Sequence, residues 1–236
     1  MSERLEGLLH ELQALEIIYE QGLVPEPAYI FKHAVIQDVA YNSLLMQRRK
    51  ALHRAVGEAI EELYQDRLEE HYTELTHHFM QGEVWDKAVA YCQQAVVRAF
   101  DHAAFREAVP SFEHALQALA RLPEDGNTRR LAIDLRLAVV RSLISLGEYK
   151  RCLTLLGEAK ALARALDDRA RLGRVLTMMA QVFRVTGDHD GAIAASQEAL
   201  ALATALGESA VQVRASYYLG HAYYAITRFS SFFRLT

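Results

Sequence analysis

Three histidines, His71, His77 and His78, fall in one stretch of helical periodicity, and His71 and His78 stand seven residues apart on one face. Imidazoles so placed are raw material for a metal site. Tetrahedral coordination, however, needs further ligands and a second shell that this stretch does not supply. Packing and helix-surface roles are expected instead, and no metal ion. Asp188-His189-Asp190-Gly191 has the start of a calcium loop without its alternating Asx spacing or closing Glu. No serine sits in the strand–turn–helix setting of a nucleophile elbow. The carboxylate pairs Glu61-Glu62, Glu69-Glu70 and Asp167-Asp168 lie at helix surfaces or ends, where capping and dipole effects account for them. Gly-x-x-x-x-Gly-Lys-Ser/Thr does not occur, so the phosphate-cradling loop is missing. The chain is expected not to be an enzyme and to carry no cofactor.

Binding chemistry is better represented. Arg48, Arg49, Lys50, His53 and Arg54 form the one dense basic cluster and are the candidates for nucleic-acid phosphate contact. Against DNA stand an overall net charge of −4 and the lack of a polar base-reading face on the same helix.

The elements that must position these residues are mostly helical. Among 236 residues Ala occurs 36 times, Pro 4 and Gly 12, so helix formers abound and breakers are few. With 51% hydrophobic and 24% charged residues the composition is globular, and the length suits one or two domains. Cys92 and Cys152 both fall inside helical patterns, which gives no disulfide framework and suits a reducing compartment. No apolar run of membrane-spanning length occurs and the first residues lack a signal-peptide core, so a cytoplasmic location is expected, without membrane contact.

Leu5, Leu8, Leu9, Leu12 and Leu15 predict a helix over 1–14. Leu15–Glu20 and Ala28–His33, separated by a Gly- and Pro-bearing stretch, predict a β-hairpin. A long helical stretch from Ala34 to Tyr64 follows, with Gln47-Arg48-Arg49-Lys50 as the expected division into two helices. From about Leu68 the chain repeats itself. Gly147 and Gly187 stand 40 residues apart, each closing an amphipathic helix. Five residues past each is a small residue, Cys152 or Ala192, and twelve past each is Ala159 or Ala199. Ala103 with Ala108, Phe112 and Ala115 keeps this spacing, and Gly82 with Ala88, Cys92 and Ala95 keeps it with one extra residue. The reading is a stacked helix–turn–helix unit whose small residues let helices approach and whose Gly ends the first helix. Asp168 and Ser209 are expected N-caps, Pro110 predicts a kink or a late helix start, and Trp85 a staple between adjacent helices.

Leu219-Gly220-Tyr223 and Ala180-Phe183-Gly187-Ala192-Ala199 resemble the tetratricopeptide repeat. The 40-residue spacing exceeds the usual repeat of about 34, as in the longer variants found in large bacterial signalling ATPases. Tyr29-Ile30-Phe31-Lys32-His33-Ala34-Val35-Ile36-Gln37-Asp38-Val39-Ala40-Tyr41, followed by Ser43-Leu44-Leu45, Arg48-Arg49 and Leu52-His53, is similar to the segment joining a bacterial AAA/STAND-type ATPase module to its tetratricopeptide tail. Such proteins are often fused to adenylate or guanylate cyclase domains. The resemblance implies a mainly α fold: a small winged-helix-like head with one β-hairpin over 1–66, then a tetratricopeptide α-solenoid over 67–236 with its last repeat truncated. It also implies a C-terminal fragment or a stand-alone remnant.

Laid on the tetratricopeptide pattern, the groove-lining positions fall in levels. Arg141, Gln181 and His221 share one, Arg174 and Arg214 another, Thr177 and Tyr217 a third, Arg184 and Tyr224 a fourth. That strip suits an acidic segment or C-terminal carboxylate of a partner. Tyr217, Tyr218, Tyr223 and Tyr224 are in part expected core residues of the broken last repeat. The expected function is a non-catalytic protein–protein interaction module whose partners are a peptide in the groove and an ATPase or cyclase domain. The alternatives are a DNA-binding transcription regulator of the ATPase–tetratricopeptide type and a regulatory subunit of a nucleotide cyclase. The apolar terminal residues Phe229, Phe232, Phe233 and Leu235 are expected to promote self-association.

Overall fold

The computed structural model describes residues 2–21 and 28–232, with side chains over 4–21 and 28–227. Helix α1 (Ser2–Ala14) leads into an antiparallel hairpin of β1 (Ile18–Gln21) and β2 (Ala28–Phe31), in which Ile18 pairs with Phe31 and Gln21 with Ala28. Helices α2 (Ala34–Ser43) and α3 (Met46–Leu63) follow. The chain breaks between them at Leu44 and Leu45, both extended, just before the expected Gln47–Lys50 division. A 3-10 stretch over Gln65–His71 then opens α4 (Tyr72–Gln81), α5 (Trp85–Asp101), α6 (Phe105–Leu119), α7 (Gly126–Ser145), α8 (Tyr149–Ala165), α9 (Arg169–Thr186), α10 (His189–Leu206) and α11 (Ser209–Phe232). The chain is a mainly α solenoid. No described helix is long and apolar enough to cross a membrane.

The turns set the period. Glu83, Ala103, Gly147, Asp167, Gly187 and Gly207 all have left-handed backbone, with φ of 56, 56, 75, 47, 80 and 72°. After each, an N–H (Val84, Ala104, Glu148, Asp168, Asp188, Glu208) donates across the turn to the carbonyl five residues back, at 2.8–2.9 Å. This is the Schellman closure that satisfies the last carbonyls of a helix. The turn residues recur every 20 positions, except between Ala103 and Gly147, where the spacing is 44. The added length is the loop before α7, where the Asp125 carboxylate caps the Asn127 and Thr128 N–H groups at 2.8 and 2.9 Å. Counting from Glu83 rather than Gly82 removes the extra residue of the first copy. Ala88, Cys92 and Ala95 then stand 5, 9 and 12 past the turn, as do Ala108, Phe112 and Ala115, then Cys152, Leu156 and Ala159, then Ala192, Ser196 and Ala199. All twelve are buried.

Nine of the twelve belong to one core running from Leu75 and Phe79 through Val139, Val140 and Leu176 to Ala215. Helix α3 joins it: a β-carbon on Gly57 would lie 2.8 Å from the ring of fully buried Phe79. The expected domain boundary near residue 66 falls in the 3-10 stretch, with α3 already packed on α4. The head before α3 is thinly packed. Ile18 is its one buried apolar side chain among those described, while Val35, Val39 and Leu45 are 71, 64 and 80% exposed.

Asp168 caps α9 as expected, accepting from the Arg171 N–H at 3.0 Å. Asp188 caps α10 through the Gly191 N–H at 2.9 Å, and Gly191 leaves room for it, since a β-carbon there would meet the carboxylate at 2.5 Å. Ser209 is not a cap but the first residue of α11. The late start expected from Pro110 does not occur, because α6 begins at Phe105 and carries Pro110 inside. The N-terminal turn of a helix tolerates Pro best, and Pro110 lies just beyond it. Trp85 opens α5, packed against the core with the Arg121 guanidinium 5.9 Å from its ring centre.

Candidate functional site

Helices α5, α7, α9 and α11 form one row, each touching the next past one intervening helix, with α4, α6, α8 and α10 on the other side. Along that row α7, α9 and α11 enclose a recess of about 400 Å3. Arg141 comes to it from α7, Arg174 and Thr177 from α9, and Arg214 from α11. Leu137, Ala138, Met178 and Val211 supply its apolar wall, and Glu208 is the one acidic side chain lining it. Four of the strip residues read from the sequence thus meet in one recess.

The fate of each guanidinium differs. Arg141 lies over the Phe100 ring, 3.8 Å from its centre, which fixes the planar group while leaving its N–H edge free to donate. Arg174 reaches Asp134 only at 3.9 Å, because Arg171 holds that carboxylate with three bonds of 2.7–3.1 Å. Arg171 also donates to Asp168 at 2.8 Å. Burial alone would raise the Asp168 pKa, but hydrogen bonds from the Arg171 N–H and guanidinium hold it below the usual carboxylate range. Arg214 makes no ion pair with any described residue.

The other strip residues continue along the row outside the recess. Gln181 and Arg184 are half-buried on α9, and Arg184 sits 6.0 Å from the Tyr218 ring. On α11, Tyr217 stands edge-on to Tyr218, with His221 beside it. Tyr218 is buried, as expected of a core residue, and burial raises its phenol's pKa. Tyr217, Tyr223 and Tyr224 are 58, 47 and 59% exposed. The side chains of Phe229, Phe232, Phe233 and Leu235 lie outside those described.

The basic cluster is partly consumed by local contacts. Lys50 pairs with Glu83 at 2.8 Å, and Arg49 covers the Tyr41 ring at 5.1 Å and donates to Asn42. Arg48 and Arg54 remain exposed. Among the described residues no group of three or more His, Cys, Asp or Glu is placed to hold a metal ion. His71 instead stacks on Tyr64 and bonds Glu74 at 2.8 Å. His78 meets His53 of α3, Nδ1 to Nδ1 at 3.0 Å, while His53 Nε2 lies 3.0 Å from the Tyr41 hydroxyl. His53 was legible in the sequence only as part of a basic cluster, since nothing in spacing joins residues 25 apart on separate helices. The Cys92 and Cys152 thiols are buried, and desolvation pushes both up to about 11, so they pack rather than react.

No family model matches this chain, and no curated protein matches it. Solved structures do. BtubC (BKLC) from P. vanneervenii is similar over 79% of this chain and 86% of that one, at 17% identity and a TM-score of 0.56. The de novo designed helical repeat protein DHR81 aligns over 76% of this chain and 92% of its own, at 16% identity and a TM-score of 0.32. The likeness to BtubC is one of fold.

Proposed function

We propose that the chain is a non-catalytic interaction module of the tetratricopeptide type, whose α7–α9–α11 recess captures an acidic peptide segment or a C-terminal carboxylate. The observation that carries this reading is the meeting of Arg141, Arg174 and Arg214 from three different helices in one apolar-walled recess that holds a single acid, Glu208. Arginine forks on such a wall favour carboxylate recognition, with the wall taking the partner's apolar side chains.

The finer part of the reading is that the head couples the loaded groove to an ATPase or nucleotide cyclase module. It rests on the resemblance of Tyr29–His53 to the ATPase-linked segment, and on apolar side chains such as Val35, Val39 and Leu45 left exposed in the head.

The test is fluorescence anisotropy with a labelled Asp- and Glu-rich peptide bearing a free C-terminus, against a Lys-rich peptide of equal length. The acidic peptide is expected to bind, and Arg174→Glu/Arg214→Glu to weaken it by about tenfold or more, since two charge-assisted contacts become repulsive. Equal affinity for the two peptides, or binding untouched by the double reversal, would remove the groove as the site.

A further inference from the structure

A larger cleft lies away from the groove, between α4 and α6 with α5 as its floor, and its volume is about 500 Å3. Two helix faces meet across it. On α5 and its C-cap the facing positions are Ala95, Arg98, Ala99 and His102, spaced i, i+3, i+4, i+7, and on α6 Glu107, Pro110, Ser111 and His114 repeat that spacing. Here they carry an arginine, two histidines, a hydroxyl and a carboxylate, and the hollow opens over small residues of two helices that are otherwise packed together.

Arg98 is the decisive member. Its guanidinium makes no hydrogen bond or ion pair with any described residue, and its Nε is buried without a partner. A guanidinium N–H removed from water without an acceptor is costly, and Glu107 across the cleft does not come within ion-pairing distance. An anion in the cleft would satisfy it, with His102 and His114 as further donors. The volume falls in the range of small-molecule sites and leaves room for a body behind the anion. Thr73 and Ser111 hydroxyls and the Glu107 carboxylate match hydroxyl groups on that body.

We infer that the α4–α5–α6 cleft binds a phosphomonoester of a small polyol, its phosphate on Arg98 and the two histidines and its hydroxyls on Glu107, Thr73 and Ser111. The site is separate from the peptide groove and stands whether or not that groove is used.

Isothermal titration calorimetry and thermal shift on the whole chain test it, with glucose 6-phosphate as the probe and glucose as the uncharged control. Saturable heat and a raised melting temperature are expected with glucose 6-phosphate and not with glucose. Arg98→Gln should weaken binding by about tenfold or more, given the strength of arginine–phosphate bonds. If Arg98→Gln loses helical circular dichroism, His114→Gln on the opposite wall takes its place, with a smaller loss expected. Arg174→Glu/Arg214→Glu should leave this binding intact. The inference fails if glucose 6-phosphate gives no saturable heat at about 10 mM, a concentration that reveals even millimolar sites. It fails equally if binding survives both Arg98→Gln and His114→Gln unchanged, or if glucose binds as well as its phosphate.

Discussion

Two glycines in and beside α8 should respond oppositely to the same substitution. Gly147, in the turn before the helix, has φ of 75°, whereas Gly157 lies inside it. A β-carbon at either position would meet nothing within 4 Å, so packing contributes to neither substitution. What differs is the backbone. Alanine at Gly147 would hold a left-handed conformation at a cost of about 1–2 kcal/mol. The stiffer unfolded chain returns about 0.4–1 kcal/mol of that. The net loss for Gly147→Ala is therefore about 1 kcal/mol, or roughly 2–4 °C in melting temperature for a chain of this size. Gly157→Ala should gain about 0.5–1 kcal/mol, the difference in helix propensity. The mirror experiment is Ala103→Gly, which relieves an exposed alanine held at φ 56° and should be neutral to stabilising by under about 1 kcal/mol. Far-UV circular dichroism during urea unfolding gives the midpoints, compared at equal slope so that only stability is read. Solenoids can unfold by segments, so the sign of each shift is the reading, not its absolute free energy. If Gly147→Ala and Gly157→Ala moved the midpoint in the same direction, the turn conformation would not be what sets the repeat.

Two further outcomes follow from the junction of α3 with α4. His53 and His78 are both held below the ordinary imidazole range, by burial first and by neighbouring imidazole charge second, with Glu74 partly opposing this at His78. The unfolded chain therefore takes up protons more readily. The contribution is fully present above the ordinary imidazole value of about 6.5 and is lost as pH falls through it, levelling off below the folded values. Tyr41, Arg49 and His77 also face this cluster, none of them supplying a new negative charge, so His53→Gln should flatten the fall in urea midpoint seen on acidification. An equally steep fall in the variant would place the acid sensitivity elsewhere. Gly57→Ala should destabilise by about 1–3 kcal/mol, the usual cost of overpacking, because the Phe79 ring is fixed against Tyr91 and fully buried. Phe79→Leu should recover part of that loss, and a double variant no better than Gly57→Ala alone would count against the contact.

Where the sequence was legible, a residue type was forced. Gly147 and Gly187 mark turns because left-handed backbone selects glycine, and Asp168 marks a helix start because its carboxylate accepts an orphan N–H. Glu83, Ala103 and Asp167 adopt the same conformation without that selection: Ala103 could be placed only by the small residues that follow it, and the first copy, read from Gly82, appeared one residue out of step. The arginine strip could be read because Arg174 and Arg214 are 40 residues apart on a repeat of that length. What could not be read is the state of each charge. Asp134 occupies the Arg174 position one repeat earlier and belongs to Arg171, and Arg141 rests on Phe100 of a different helix. These facts depend on how hairpins stack. The cleft around Arg98 was missed for a related reason: i, i+3, i+4, i+7 spacing on α5 and α6 reads as an ordinary helix face until the two faces are set opposite each other.

In a chain with 30 acidic and 26 basic residues, a cation without a carboxylate is not explained by scarcity of acid. The stack places acids wherever hairpins must be held in register: Arg151 on Glu113 at 3.0 Å, Arg136 on Glu158 at 2.8 Å, Arg164 on Glu198 at 2.8 Å, Arg171 on Asp134 at 2.7 Å. Each of these ties one helix to another, and each is worth little alone at a partly exposed site. Arg98, Arg141 and Arg214 make no ion pair with any described residue, and Arg141 instead joins α7 to α5 through the Phe100 ring. Exposed arginines such as Arg141 and Arg214 need no partner, since water serves them, whereas Arg98 is half-buried with its Nε out of water. An anion in the cleft would return the desolvation that Arg98 incurs. An anion therefore gains affinity at the cleft around Arg98 that it would not gain at an arginine already hydrated or paired.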